Sequence, residues 1–235
     1  SALDCLAAAF AGLRQPSSQA VLRYAEELGG RPEVGVIGGG FRTAVADAAL
    51  ANGAIAHAQD YDDCGMKVNH PTVLVLPGVL SLAEKLGASG REVLTAYILG
   101  MEVQGKVALH CDFTQVTERK LNSMAFVGCL GAAAAAAKML HLDVHQTQMA
   151  LGIAANMACG IRANHGTHMG AMTAGNVCRA GVVAGLMARA GVTASPDIIE
   201  AKEGFLYTLT GPKGHKLEGL AKEMGNPYYV QSPGM

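Results

Sequence analysis

The sequence predicts an all-α fold, an Ala-rich helical bundle with one short β-prone segment. Three observations carry this reading. Capped segments with a helical apolar period follow one another along nearly the whole chain. Strand-like composition is confined to EVGVIGGGF at 33–41. Hydrophobic residues make up 50% of the 235, yet aromatics are only 5% and Trp is absent, so the apolar stretches are largely Ala and Gly. Such small side chains let helix backbones approach closely.

The elements read in order as follows. Residues 2–12 form a helix that stops at Gly12. Ser17 or Ser18 caps a second helix, which runs to Leu28 and ends on Gly29-Gly30. Residues 33–41 form a small hairpin, whose GGG has neither the spacing nor the strand–helix context of a dinucleotide-binding loop. Helix resumes over 43–57 and again over 72–86. Ser89 with Glu92 makes a capping box that opens a helix over 90–110. Further helices cover 124–140, 144–157 (capped by Asp143 and Gln146), 172–190 and 196–203, the last opened by Ser195-Pro196. KGHKLEGLAKEMG reads as a short amphipathic helix, and YYVQSPGM as the beginning of a strand.

Composition also excludes partners. Only 16% of residues are charged, against about a quarter in an average protein. Part of the surface is therefore expected to be hidden, by a second subunit or by further chain. A net charge of −1 supplies no basic surface for phosphates, so no nucleic acid is expected. The longest small-apolar run, SMAFVGCLGAAAAAA at 123–137, is shorter than the ~20 residues that span a bilayer. Neither it nor the N-terminal SALDCLAAAFAGL follows a basic stretch, and a cytoplasmic protein without a membrane partner is expected. The cysteines at 5, 64, 111, 129, 159 and 178 form no CxxC pair, which fits a reduced protein.

Against this sparse charge, HAQDYDDCGMKVNHP at 57–71 gathers His57, Asp60, Asp62, Asp63 and His70. A helix end feeding a loop that returns a histidine lines a pocket from one side. Asp60 and His70 together make a carboxylate–imidazole pair suited to proton transfer near neutral pH. Pro71 predicts an extended backbone at His70. Plainer alternatives stay open: Asp62-Asp63 as a solvated or capping pair, His57 as a packing or supporting residue. The set can in principle bind a divalent cation but matches no HExxH or EF-hand pattern, and neither metal nor cofactor is expected. A second cluster, RANHGTHMG at 162–170, offers Arg162, His165 and His168. Arg162 brings a forked cation for a carboxylate; the alternative is an ordinary polar turn.

GAIAHAQDYDD followed by NHPTVLVLPGVLSLAEKLGASGREVLTAYILGMEV resembles the MmgE/PrpD family of 2-methylcitrate dehydratases and cis-aconitate decarboxylases. GAAAAAAKMLHLDVHQTQMALGIAANMACGIRAN and FLYTLTGPKG resemble it in the same order. The resemblance implies a large helical domain with a smaller lid domain, a homodimer and no cofactor. It divides the chain into a helical domain at 1–225 and the start of a lid segment at 226–235, with the lid itself absent. It implies catalytic roles for Asp60 and His70, and a small di- or tricarboxylic acid as substrate. Cys64 stands where the family often has Thr. Asn122 stands where it has a catalytic His, Gly170 where it has a catalytic Lys, and Thr173 where it has a loop His. Cys64, Asn122, Arg162 and His168 are expected to contact substrate, His168 standing in for the missing cation. Three readings follow: a lyase working by α-proton abstraction, an isomerase or epimerase of a small dicarboxylate, or a non-catalytic relative.

Overall fold

A computed structural model describes residues 1–65 and 67–231. The described chain is helical: α1 (Ala2–Gly12), α2 (Pro16–Leu28), α3 (Val45–Ala56), α4 (Leu76–Leu86), α5 (Gly90–Leu109), α6 (Thr114–Glu118), α7 (Ser123–Met139), α8 (Val144–Met157), α9 (His168–Arg189), α10 (Phe205–Thr210) and α11 (Leu220–Glu223). One antiparallel hairpin, β1 (Val34–Gly35) with β2 (Arg42–Thr43), pairs Val34 with Thr43. The all-α expectation and the single β-prone segment both hold. Asn52 of α3 fastens the hairpin to the bundle, accepting from the Ile37 N–H at 2.8 Å and donating to the Gly35 carbonyl at 3.2 Å.

The central rod is α7, buried on every side from Met124 to Ala137 and packed by α4, α5, α8 and α9. A helix apolar all round belongs in a core, and here its faces are Ala and Gly, so the neighbours come very close. A Cβ at Gly131 would stand 2.7 Å from the Gly100 carbonyl oxygen of α5, and one at Gly181 of α9 would stand 2.5 Å from the Ala132 Cβ. Where α3 crosses α9, a Cβ at Gly175 would lie 2.2 Å from the Leu50 carbonyl oxygen. Among the described residues α9 alone is long and apolar enough to cross a membrane, but 67% of its most apolar window is buried in this packing.

Both capping boxes form, Ser89 with Glu92 and Asp143 with Gln146. Four expectations need correction. Helix α2 is capped by Gln15 with Pro16 in its first turn, so Ser17 and Ser18 lie inside it. Residues 196–203 form turns, because the Ile198 and Ile199 carbonyls accept from Phe205 and Leu206 instead of from the next helical turn. The amphipathic helix at 213–225 shrinks to α11. Residues 214–216 are drawn onto 110–112 (Asp112 N–H to Gly214 carbonyl 2.7 Å, Lys216 N–H to His110 carbonyl 3.0 Å), and Gly219 turns the chain at φ +87°. The C-terminal strand is replaced by a 3-10 turn over Tyr229–Gln231, its remaining positions 232–235 lying outside the described residues. All six cysteines are free.

The glycine crossings make a prediction. Gly175→Ala drives a methyl into the α3 backbone and should lower unfolding free energy by about 1–3 kcal/mol. Gly90→Ala, where nothing lies within 4 Å of the added carbon, should be neutral or stabilising by about 0.4–1 kcal/mol. Denaturant midpoints of the two variants check the contrast.

Candidate active site

Helix α3 ends at His57, whose backbone leaves helical geometry at ψ 5°, and the described residues from there to α4 form neither helix nor strand. The centre of this loop is Asp62, whose side chain is fully buried. Its Oδ1 takes the His57 Nδ1 proton at 2.8 Å. Its Oδ2 lies 3.3 Å from His70 Nδ1, within ion-pair reach but out of line for a good hydrogen bond. The same His70 nitrogen is 3.3 Å from the Asp62 carbonyl oxygen. The other face of His70 turns to the surface, where Nε2 meets Asp60 Oδ1 at 3.1 Å; His57 Nε2 is 3.9 Å from that oxygen. Two imidazoles, their ring centres 4.7 Å apart, are thus braced from beneath by one buried carboxylate and met from above by an exposed one.

The extended backbone expected at His70 is not found: its φ is +55°, and that of Asp60 is +52°. Clash with a following proline disfavours the right-handed helical region, and here the left-handed region satisfies that constraint while swinging the ring onto Asp62. The Asp62-Asp63 pair is not a solvated one either. Asp63 accepts from the Thr72 N–H (3.2 Å) and the Thr72 hydroxyl (2.6 Å), and that hydroxyl accepts from Tyr97 at 2.7 Å. Asp63 therefore clamps the two ends of the loop together.

These groups form one wall of a cleft of ≈ 530 Å³. Its other walls are helix beginnings: Gln15, Pro16 and Ser17 of α2, Asn122 and Met124 of α7, and Thr167, His168, Gly170 and Ala171 of α9. Neither Gln15 nor Asn122 caps its own helix with its side chain, so first-turn N–H groups of α2 and α7 stay available. Three positive helix ends around one cleft favour an anion. Four of the chain's eight histidines line it (57, 70, 165 and 168), and no Lys or Arg does among the described residues.

Of the residues singled out from sequence, Asp60, His70, Asn122 and His168 meet here. Cys64 is exposed and outside the lining, and so is Arg162, which begins a 3-10 turn and gives its N–H to the Lys120 carbonyl. Gly170 lines the cleft, but its N–H is bonded to the Thr167 carbonyl at 3.0 Å; Thr173 bonds back to Met169 along α9. Sequence reasoning passed over Asp62 as the organiser, and it named His165 without giving it a role; His165 stands 3.5 Å from the Asn122 amide. The spacing of the DYDD run was the available signal for Asp62.

Burial raises the Asp62 pKa, but the His57 and His70 contacts overcome it and hold the carboxyl at about 2, against 3.8 ordinarily. Burial pulls His70 down, but its close contact with the charged Asp62, then the charge of Asp60, hold it above its usual 6.5. His70 is therefore predisposed to carry a proton on both nitrogens. His57, Asp62 and His70 also offer three ligand atoms within 4.8 Å of one another, a subset of the residues that the sequence could in principle offer to a divalent cation. The 2.8 Å between His57 Nδ1 and Asp62 Oδ1 is nevertheless the spacing of a shared proton, and the chemistry on offer is proton transfer.

The shifts fix a pH response. Asp62 contributes stability that is full above about 3.8 and lost as pH falls toward about 2, on the order of 2 kcal/mol. The His70 contribution is full below 6.5 and lost as pH rises through its raised value. The two describe one contact from either end and do not sum. Asp62→Asn should flatten the acid limb of stability against pH, as denaturant titrations at stepped pH will read.

Comparison with known proteins places the chain. Residues 1–218 match the model of the MmgE/PrpD N-terminal domain. A cis-aconitate decarboxylase of Homo sapiens is 33% identical over 172 residues, covering 71% of this chain and 36% of that protein. One of Mus musculus is 31% identical over 215 residues (86% and 43%), and one of Aspergillus terreus 29% identical over 229 (94% and 46%). The chain spans less than half the length of these curated relatives. With the HAQDYDD and NHP segments contributing to one wall of its cleft and residues 1–218 matched by the family's N-terminal domain, the chain belongs to the MmgE/PrpD family.

Proposed function

We propose that this chain carries the proton-transfer site of a lyase acting on a small di- or tricarboxylic acid. The observation that carries the reading is His70, gripped by buried Asp62 on Nδ1 and presenting Nε2 to Asp60 at 3.1 Å in a cleft rimmed by three helix N-termini. Substrate carboxylates would lie against the first turns of α2, α7 and α9, with the His168 imidazole as a further hydrogen-bonding group of the lining. Asp60, exposed at the rim, then accepts the proton α to a carboxylate. The electron pair left on carbon expels a β-hydroxyl, which departs as water with a proton from the His70 imidazolium. In the decarboxylating variant the C–C bond breaks, CO₂ leaves, and His70 protonates the carbon that keeps the pair. The names of the matched relatives favour that variant.

One observation favours a second reading, an isomerase or epimerase. His70 and His168 both line the cleft, one from the 57–71 loop and the other from the first turn of α9, and removing a proton from one face and returning it to the other needs two such groups. A cleft with no Lys or Arg among the described residues also suits fewer substrate charges than a tricarboxylate carries. Incubating the chain with citrate-like and malate-like acids in heavy water separates the readings by NMR. The lyase gives a new double bond or released CO₂; the epimerase gives deuterium at the α carbon with no net loss. His70→Asn, chosen because Asn tolerates the left-handed backbone, should lower either activity by about 10²–10⁴-fold and leave helicity unchanged. No exchange with any such acid would remove both readings and leave a non-catalytic relative.

We also propose a homodimer. Leu3 and Phe10 of α1 are 81% and 65% exposed on one face of a helix whose only charged residue is Asp4, the kind of surface a partner covers. Sedimentation at micromolar concentration should show twice the chain mass; a monomer overturns this.

A further inference from the structure

The loop that carries His70 has no regular structure of its own, so its position depends on outside fastenings. On the inner side these are Asp63 with Thr72, and the Gln104 amide donating to the Pro71 carbonyl at 2.8 Å. The outer fastening comes from more than a hundred residues away. Tyr229 is 5% exposed, and its ring lies flat on α5 at Gly105, where an added Cβ would stand 2.2 Å from the ring. Its hydroxyl reaches the loop, 2.9 Å from where a Cβ on Gly65 would be, and the Val68 backbone hydrogen-bonds the phenol. Val68, itself fully buried, is two residues from His70.

One turn along α5, Glu102 holds this tyrosine in place. Its carboxylate is 2% exposed and lines no part of the cleft. One oxygen accepts from the Gly225 N–H at 2.8 Å and the other from the Tyr229 N–H at 2.5 Å, with Lys106 4.0 Å away. A buried carboxylate is costly unless both oxygens are satisfied. This one is satisfied by the main chain of the C-terminal segment, which makes the attachment specific in register.

We propose that Tyr229 is a positioning residue for the proposed proton carrier: seated on Gly105 by the Glu102 latch, its phenol fixes Val68 and thereby the reach of His70 to Asp60 and Asp62. The inference rests on the reading of His70 as proton carrier only for its catalytic consequence. The geometric consequence is independent of it. Contacts of 3.1 and 3.3 Å weaken steeply with small displacements, and a misplacement of about 1 Å costs on the order of 10²-fold in rate.

The test uses the full chain and two substitutions. Tyr229→Phe removes only the hydroxyl and leaves the ring and the backbone latch. Gly105→Ala displaces the ring. The His70 ring is titrated by NMR without substrate, with exposed His145 on α8 as the internal reference. In both variants the His70 midpoint should fall toward the ordinary imidazole value while His145 and the circular dichroism stay unchanged. Where Gly105→Ala does not fold, Tyr229→Phe decides alone. A His70 midpoint in Tyr229→Phe equal to that of the unsubstituted chain overturns the proposal. If α-proton exchange is found, Tyr229→Phe should lower kcat at least tenfold with KM within twofold and move the alkaline limb of the pH profile to lower pH. An unmoved profile is the result of a merely structural role and overturns the positioning one. If the unsubstituted chain shows no exchange yet His70 responds to Tyr229→Phe, the latch stands and the lyase reading falls.

Discussion

A single buried carboxylate organises the site. The Asp62 side chain is fully buried, so its charge must be met by protein groups or the loop does not close. His57 meets it from the end of α3 and His70 from the far side of the loop. Drawing both rings inward forces the chain through left-handed backbone at Asp60 and His70, conformations that are uncommon outside Gly and Asn and persist only where the surroundings over-determine them. The surroundings here are the Asp63 clamp on Thr72 and the tight packing of α3 against α9. Without the buried charge the two imidazoles, 4.7 Å apart, would lose the one carboxylate that both Nδ1 atoms meet.

The close crossings of the bundle serve the same end. Helices that touch backbone to backbone through Gly and Ala have little freedom to slide. The starts of α2, α7 and α9 therefore converge on one cleft although Gln15, Asn122 and Thr167 are far apart in the chain. The positive potential there is delivered by main chain, and the side chains at these positions decide what else the anion meets. Asn122 and Gly170, at positions where the family resemblance implies a His and a Lys, leave a lining of imidazoles with no Lys or Arg among the described residues.

Much of this was legible in the sequence. Capping boxes at Ser89 and Asp143 are local chemistry, and their helices lie where the boxes place them. The Asp60–His70 pair was legible because both flank one loop. What failed was decided at long range. Residues 196–203 have helical composition, but the Ile198 carbonyl accepts from Phe205. Residues 213–225 have an amphipathic pattern, but 214–216 pair with 110–112. Asp62 looked like half of a solvated pair because burial cannot be read from a DD doublet. Arg162 looked like a substrate ligand because its loop carries two cleft histidines, yet its own position turns outward.

Helix α9 ties these levels together. Its first turn carries His168 and Gly170 on the cleft wall, and less than two turns on, Gly175 presses against α3. At 1.5 Å rise per residue the two functions sit about 10 Å apart on one rigid rod. The side chains at the rod's tip point into open space, while the backbone beneath them is fixed by the crossing. A substitution at the tip can thus exchange one ligand preference for another without disturbing the scaffold, whereas a substitution at the crossing shifts every tip residue together. Such a scaffold diversifies its chemistry by changing fittings on fixed mounts.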